Sequence, residues 1–205
     1  MDVTEKISWL SMTTYILATH NEHKTVEIRK MLTPCGIELK SLTDINYHDE
    51  IIEDGDSMRA NAKIKSDELK ALGYTHIISD DSGLEVDALD GAPGIYSARY
   101  AGIHGDSEAN MTKLLAALDG HQKRDAQFRC VISTWADDQH HFFEGIVRGS
   151  IAIERMGQGG FGYDPIFIPE GYDKSFGVLA AEIKNRMSHR ARAIDAFKEF
   201  LTSQK

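Results

Sequence analysis

The sequence predicts a mixed α/β domain, and three stretches carry that expectation. Residues 14–18, Thr-Tyr-Ile-Leu-Ala, form a β-branched and apolar run that passes through a polar turn into a helical pattern ending near Leu32. His76-Ile77-Ile78 reads as a buried strand with the pair Asp80-Asp81 at its carboxyl end. Residues 126–136 and 141–153 are long β-rich segments around Asp137-Asp138-Gln139, the pattern of a hairpin, which adds antiparallel pairing to a sheet begun with helices. A length of 205 residues suits one sizeable domain, with room for two lobes around a cleft. No repeat, low-complexity tract or Pro/Gly/Ser linker divides it, so residues 14–205 read as one unit behind a loosely ordered extension at 1–13.

Composition narrows the function. A formal net charge of −9 gives the chain no general attraction to nucleic acid or to an anionic membrane, so an anionic substrate has to be met locally. The two cysteines, Cys35 and Cys130, have no zinc or redox spacing and read as reduced core residues of a cytoplasmic protein. Neither a transmembrane run nor a secretory leader is evident.

Taken in order, the first element carries Thr19-His20-Asn21-Glu22-His23-Lys24 between strand and helix. Unpaired N–H groups at a helix start, with a lysine in the first turn, make an anion cradle in which Asn21 and Lys24 would touch phosphate. Taken alone, this turn is better read as a plain N-cap with a solvated lysine, because it lacks the glycines of a P-loop. Pro34 and Gly36 stop that helix. An acidic turn, Glu53-Asp54-Gly55-Asp56, precedes a helix over about 57–72 whose buried stripe is Met58, Ala62, Leu69 and Leu72. Lys65 falls in the middle of that stripe with Asn61 one turn earlier, so it either snorkels to an edge or points into a polar pocket; the Asn61 neighbour favours the pocket.

The pair Asp80-Asp81 is the centre of the pattern. Adjacent carboxylates at a strand end repel unless a cation lies between them, which points to a hard metal such as Mg²⁺, with Glu53 as a third carboxylate. The plainer alternative is an Asp-Ser-Gly turn with Asp81 in water. Residues 107–118 form an amphipathic helix with Met111, Leu114, Leu115 and Leu118 on one face and no chemistry of their own. His140 and His141, beside the hairpin turn, read as solvent-facing. Gly157-Gln158-Gly159-Gly160-Phe161-Gly162-Tyr163-Asp164-Pro165 offers a close-approach backbone and flat aromatic faces for a nucleobase, or else a bulge with the aromatics turned inward. Residues 179–186 read as a short helix carrying Lys184, and Ser188 caps a last helix that places His189 and Arg190 in its first turn, where positive charge makes sense if an anion or carbonyl-rich ligand docks there. Carboxylates for Mg²⁺, cations for phosphate and an aromatic for a base compose a nucleoside triphosphate site.

The segments 19–24, 79–84 (Ser-Asp-Asp-Ser-Gly-Leu), 91–100 (Gly-Ala-Pro-Gly-Ile-Tyr-Ser-Ala-Arg-Tyr), 160–165 and 188–190 together resemble the inosine triphosphate pyrophosphatase family, in order and from about Tyr15 to the end. The resemblance implies an elongated mixed sheet with flanking helices, two lobes around a cleft, a homodimer, Mg²⁺ dependence and hydrolysis of ITP, dITP and XTP to monophosphate and pyrophosphate. By that resemblance Asp81 is the general base and a metal ligand, Glu53 the second metal ligand, Lys65 a further catalytic residue, and Asp80 a supporting acid. Thr19, Asn21, Lys24, Lys65 and Ser82 are the triphosphate contacts, with His20, Glu22 and His23 in the same substrate-binding turn. Phe161 is the ring under the purine, and Gly162, Tyr163, Asp164, Lys184, His189 and Arg190 complete its pocket. The chain departs from the family at His20 and His23, where the turn usually carries glycine. The rival classes are a nucleotide-sensing module, which would not need the paired aspartates, and a Maf-like pyrophosphatase of pyrimidine or modified nucleotides, which would lack Ser188-His189-Arg190.

Overall fold

The computed structural model describes residues 13–203. The expected extension therefore lies outside the described residues except for Thr13, which opens strand β1 (Thr13–Leu17). Helix α1 (Glu22–Leu32) follows, capped by the Asn21 side chain, and ends where Pro34 and the left-handed Gly36 turn the chain into β2 (Ile37–Ser41). Helix α2 (Met58–Ala71) is capped by Ser57, whose hydroxyl accepts from the Ala60 amide. Strand β3 (Ile77–Val86), helix α3 (Ser107–Ala117), the hairpin β4 (Asp125–Ala136) and β5 (Gln139–Ile151), the short β6 (Phe167–Pro169), and helices α4 (Ala181–Met187) and α5 (His189–Ser203) complete it.

These strands form one six-stranded mixed sheet in the order β2-β1-β3-β4-β5-β6. β1 pairs in parallel with β2, and with β3 only through Ile16–Ile77 and Leu17–Ile78. From Ser79 onward β3 runs antiparallel to β4. One side of the first half packs α1 and α5 in a core of Leu17, Ile28, Ile78, Ile132, Ile194 and Phe197. The opposite side is covered by α2 around Ile16, Leu69 and Ile77. A separate core at the far end gathers Leu84, Val86, Leu114, Phe128, Ile166 and Phe167 under α3. Two apolar centres on one sheet leave a cleft between them.

Several expectations are corrected. Asp80 and Asp81 lie inside a ten-residue strand, not at its end, because Ser82 to Val86 keep pairing with Cys130 to Ala126. Gly83 permits this: a Cβ there would collide with the Gly94 carbonyl oxygen and lie 2.7 Å from Met58 Cε, so the close crossing of residues 94–97 overrides the turn tendency of Asp-Ser-Gly. Leu72 is 53% exposed, since α2 has ended before it. Cys35 is exposed in a 3-10 turn, while Cys130 is buried as expected, its thiol pushed up to about 12 by burial and the nearby Asp80 charge. His140 is packed rather than solvated, with its ring against Trp135 and Nε2 3.1 Å from Asp67; His141 rests on Phe200.

Candidate functional site

Side chains alternate along β3, so its two aspartates face opposite sides of the sheet. Ile78, Asp80 and Ser82 point toward α1 and α5; Ser79, Asp81 and Gly83 point toward α2. The bonds follow that division: Arg190 Nη2 of α5 donates to Asp80 and to Ser82 Oγ, whereas Ser79 Oγ donates to the Ala62 carbonyl of α2 and Asn61 Nδ2 donates to Asp81 Oδ2 at 3.2 Å.

On the α2 side, Lys65 Nζ lies 2.7 Å from Glu53 Oε2 and 3.7 Å from Asp81 Oδ1. Lys65 thus points into a polar pocket. Asn61 bridges this group to the acidic turn by accepting from the Gly55 amide at 2.9 Å while donating to Asp81. Burial pushes the Asp81 carboxyl above the ordinary aspartate range; Lys65 and Lys24 pull against that, and Glu53 and Asp80 add to it. Lys65 is held above its ordinary value because Asp81, Glu53 and Asp80 outweigh its burial.

On the other side, Asp80 is fully buried, 3.1 Å from Lys24 Nζ and 3.3 Å from Arg190 Nη2. Burial would raise it, but Lys24, Arg190 and Lys65 overcome that and hold its carboxyl well below the usual range. That charge state does not favour the supporting-acid role expected for Asp80; in the structure its carboxylate holds Lys24 and Arg190. Asp80 also stands apart from the Glu53–Asp81 group, and among the described residues no cluster of three metal-ligating side chains forms. Glu53 and Asp81, gathered about one ammonium, still fit Mg²⁺, which commonly takes one or two protein carboxylates and fills its shell with phosphate oxygens and water.

The turn between β1 and α1 is built by its own side chains. Thr19 Oγ1 accepts from the Asn21 amide at 3.1 Å, and Asn21 Oδ1 accepts from the Lys24 amide at 3.2 Å. Glu22 is exposed at the helix start. His20 Nε2 is 3.1 Å from the Asp49 carbonyl oxygen, and its ring stacks on Tyr47, tying this turn to the loop that leads to Glu53. His23 stacks on Phe161.

At the opposite end, the loop before β6 folds around Asp164, whose Oδ2 accepts from the Phe161 amide at 2.8 Å and from Lys184 Nζ at 2.6 Å. Gly160 has φ +74°, and a Cβ there would strike that carboxylate. Gly162 is also left-handed. The Tyr163 hydroxyl donates to the Ser97 carbonyl at 2.9 Å, so this aromatic is turned inward and Phe161 is left to the cleft. Lys184 Nζ lies 4.7 Å and Arg190 Cζ 5.8 Å from the Phe161 centroid. His189 stacks on Phe128, and its Nδ1 has no hydrogen-bond partner; burial, with Arg190 and Lys184 beside it, lowers its pKa well below the ordinary value and keeps the ring neutral.

Glu27 is the residue that sequence reasoning missed. From mid-α1 its two oxygens accept from Lys184 at 2.7 Å and from Arg190 at 2.6 Å. Burial is outweighed by those cations, so its carboxyl stays below the ordinary range. The available signal was weak: an acid one turn after His23 on the same helix face.

Thr19, Lys24, Lys65, Asp81, Phe161 and Arg190 all line one cleft of about 750 Å³, which also takes in Glu53, Ser82, Lys184 and His189. Asp80 lies behind its wall. The arrangement has cations and an amide-rich helix start at one end, a ring with hydrogen-bonding cations at the other, and an elevated carboxylate between them. No helix among the described residues is long and apolar enough to cross a membrane.

Comparison with known proteins adds to this geometry. The model of the Ham1 family matches residues 15–200. The dITP/XTP pyrophosphatase of Flavobacterium johnsoniae is 44% identical over 191 residues, covering 93% of this chain and 98% of that protein. The protein of the same name from Bacillus subtilis is 42% identical, covering 91% and 96%. Among solved structures, the Staphylococcus aureus Ham1 protein superposes with a TM-score of 0.84 at 40% identity, over 94% of this chain and all of that one.

Proposed function

The chain belongs to the Ham1 family, and from that premise we infer that it is a nucleoside triphosphate diphosphatase clearing non-standard purine nucleotides, dITP, XTP and ITP, as the monophosphate and pyrophosphate. The observation that carries the catalytic assignment is Asp81: a carboxylate raised by burial, open to the cleft, and oriented by Asn61 and Lys65. A raised carboxyl is a better proton acceptor than an ordinary aspartate, so Asp81 takes the proton of the water that attacks the α-phosphorus in line. Lys24 and Lys65 sit where the negative charge of the phosphates and of the departing pyrophosphate is met, with the α1 amides beside them. Glu53 and Asp81 would hold Mg²⁺, which when bound supplies charge neutralisation to the phosphoryl oxygens. Phe161 takes the purine face. Lys184 and Arg190, held in place by Glu27, Asp164 and Asp80, are donors that suit a 6-oxo group, while the 6-amino group of adenine is itself a donor and would face them without an acceptor to offer. Residues 14–205 act as one domain, and the active form is a homodimer in the cytoplasm.

Incubating the protein with dITP, XTP, ITP, GTP, ATP and dUTP plus Mg²⁺, and assaying pyrophosphate against orthophosphate, tests this reading. Pyrophosphate from dITP, XTP and ITP, lost on chelation of divalent ions and restored by Mg²⁺, is the expected result. Orthophosphate as product, or equal turnover of dUTP and ATP, overturns it.

A further inference from the structure

His23 belongs to the turn that receives phosphate, yet its ring is laid on the base platform. Its centroid is 5.2 Å from that of Phe161 and the planes differ by 12°, a parallel, offset stack. His23 and Glu27 are four residues apart on α1, so they share a helix face, and Glu27 is the group that holds Lys184 and Arg190 beside Phe161. Ring and cations therefore approach Phe161 from the α1 side, and a purine laid on that side meets His23 first. Phe161 is held by the hydrogen bond that its backbone amide donates to Asp164, while His23 is exposed and needs only side-chain rotation to move.

We propose that the nucleobase enters between these two rings, so that His23 is a specificity-determining residue that closes over the purine as the second face of a sandwich. The proposal rests on the reading of Phe161 as the base platform. Separating the planes to about 7 Å, two van der Waals layers, admits a purine, and the existing stack keeps the slot closed to water until it does. A bicyclic purine overlaps the two flanking rings over a larger area than a single pyrimidine ring does, so the sandwich favours the larger bases. The side chain that supplies the second plane neighbours Lys24, which couples base entry to placement of the phosphates.

The test compares wild type, His23→Ala and His23→Phe with dITP and XTP as substrates, and inorganic tripolyphosphate, which has no base, as competitive inhibitor. His23→Ala is expected to raise KM about fivefold or more, with most of the loss of kcat/KM in KM, and His23→Phe to restore it. The inhibition constant for tripolyphosphate is expected to stay at the wild-type value. An unchanged or lowered KM in His23→Ala, failure of phenylalanine to restore it, or a parallel rise for tripolyphosphate overturns the sandwich while wild type remains active. A wild type that releases no pyrophosphate from either substrate instead defeats the functional reading, and this inference with it.

Discussion

The two sides of β3 place the same chemical group, an aspartate carboxylate, in opposite electrostatic states one residue apart. On the α1/α5 side Asp80 is sealed from the cleft and matched by Lys24 and Arg190; on the α2 side Asp81 is 8% exposed, lines the cleft, and meets Lys65 at the longer distance of 3.7 Å. Burial pushes both upward, but only on the first side do the cations win. On the proposed reading, the helices packed against each face, and not side-chain identity, single out Asp81 as the base.

The sharpest way to break the comparison is to neutralise each aspartate in turn. Asp81→Asn is expected to lower kcat by about 10²–10⁴-fold, the usual weight of a positioned general base, while nucleotide affinity measured by equilibrium binding is largely kept. Asp80→Asn should lower kcat far less, and equal losses in the two variants would end the distinction. Next in size is Arg190→Met. It leaves the fully buried Asp80 with Lys24 alone and Glu27 without its second partner, so chemical denaturation should show a stability loss of about 3–5 kcal/mol.

The smallest effect carries the most information about sign. As the proposed base Asp81 acts in its ionised form, so kcat/KM is expected to fall as pH drops through its pKa. Lys65 lowers that pKa and Asp80 raises it. Lys65→Met should therefore move the acid limb of the pH profile to higher pH, and Asp80→Asn should move it to lower pH. Shifts in the same direction would show that the two faces do not act on Asp81 as described.

Much of this was legible in the chain. The α1, α2, α3 and hairpin patterns were strong because long periodic runs and caps such as Asn21 and Ser57 agree with each other. The course of β3 was not, because Asp-Ser-Gly favours a turn locally and only the β4 pairing and the crossing at Gly83 keep it extended. β2 interrupts its apolar residues with Glu38 and Lys40 and so lacks the apolar run that marks β1, and β6 has only three residues. At the site, residue types drew attention to Asp80 and Asp81 together but could not divide their labour, which depends on partners 110 residues away for Arg190 and 20 for Asn61. Glu27 stayed hidden for the same reason, since nothing nearby in the chain marks an acid whose partners lie 157 and 163 residues further on. His140 was misjudged because the packing of Trp135 and α2 over the hairpin tip is a tertiary matter.

The change of partners along β3, parallel to β1 up to Ile78 and antiparallel to β4 from Ser79, makes one strand answer to two neighbours at once. A slip of a single residue against either would exchange the faces of Asp80 and Asp81, leaving a sheet of normal appearance with its acids swapped. Such a slip would also strip Lys24 and Arg190 of the Asp80 carboxylate, so correct alignment of β3 is a condition of stability as well as of the site.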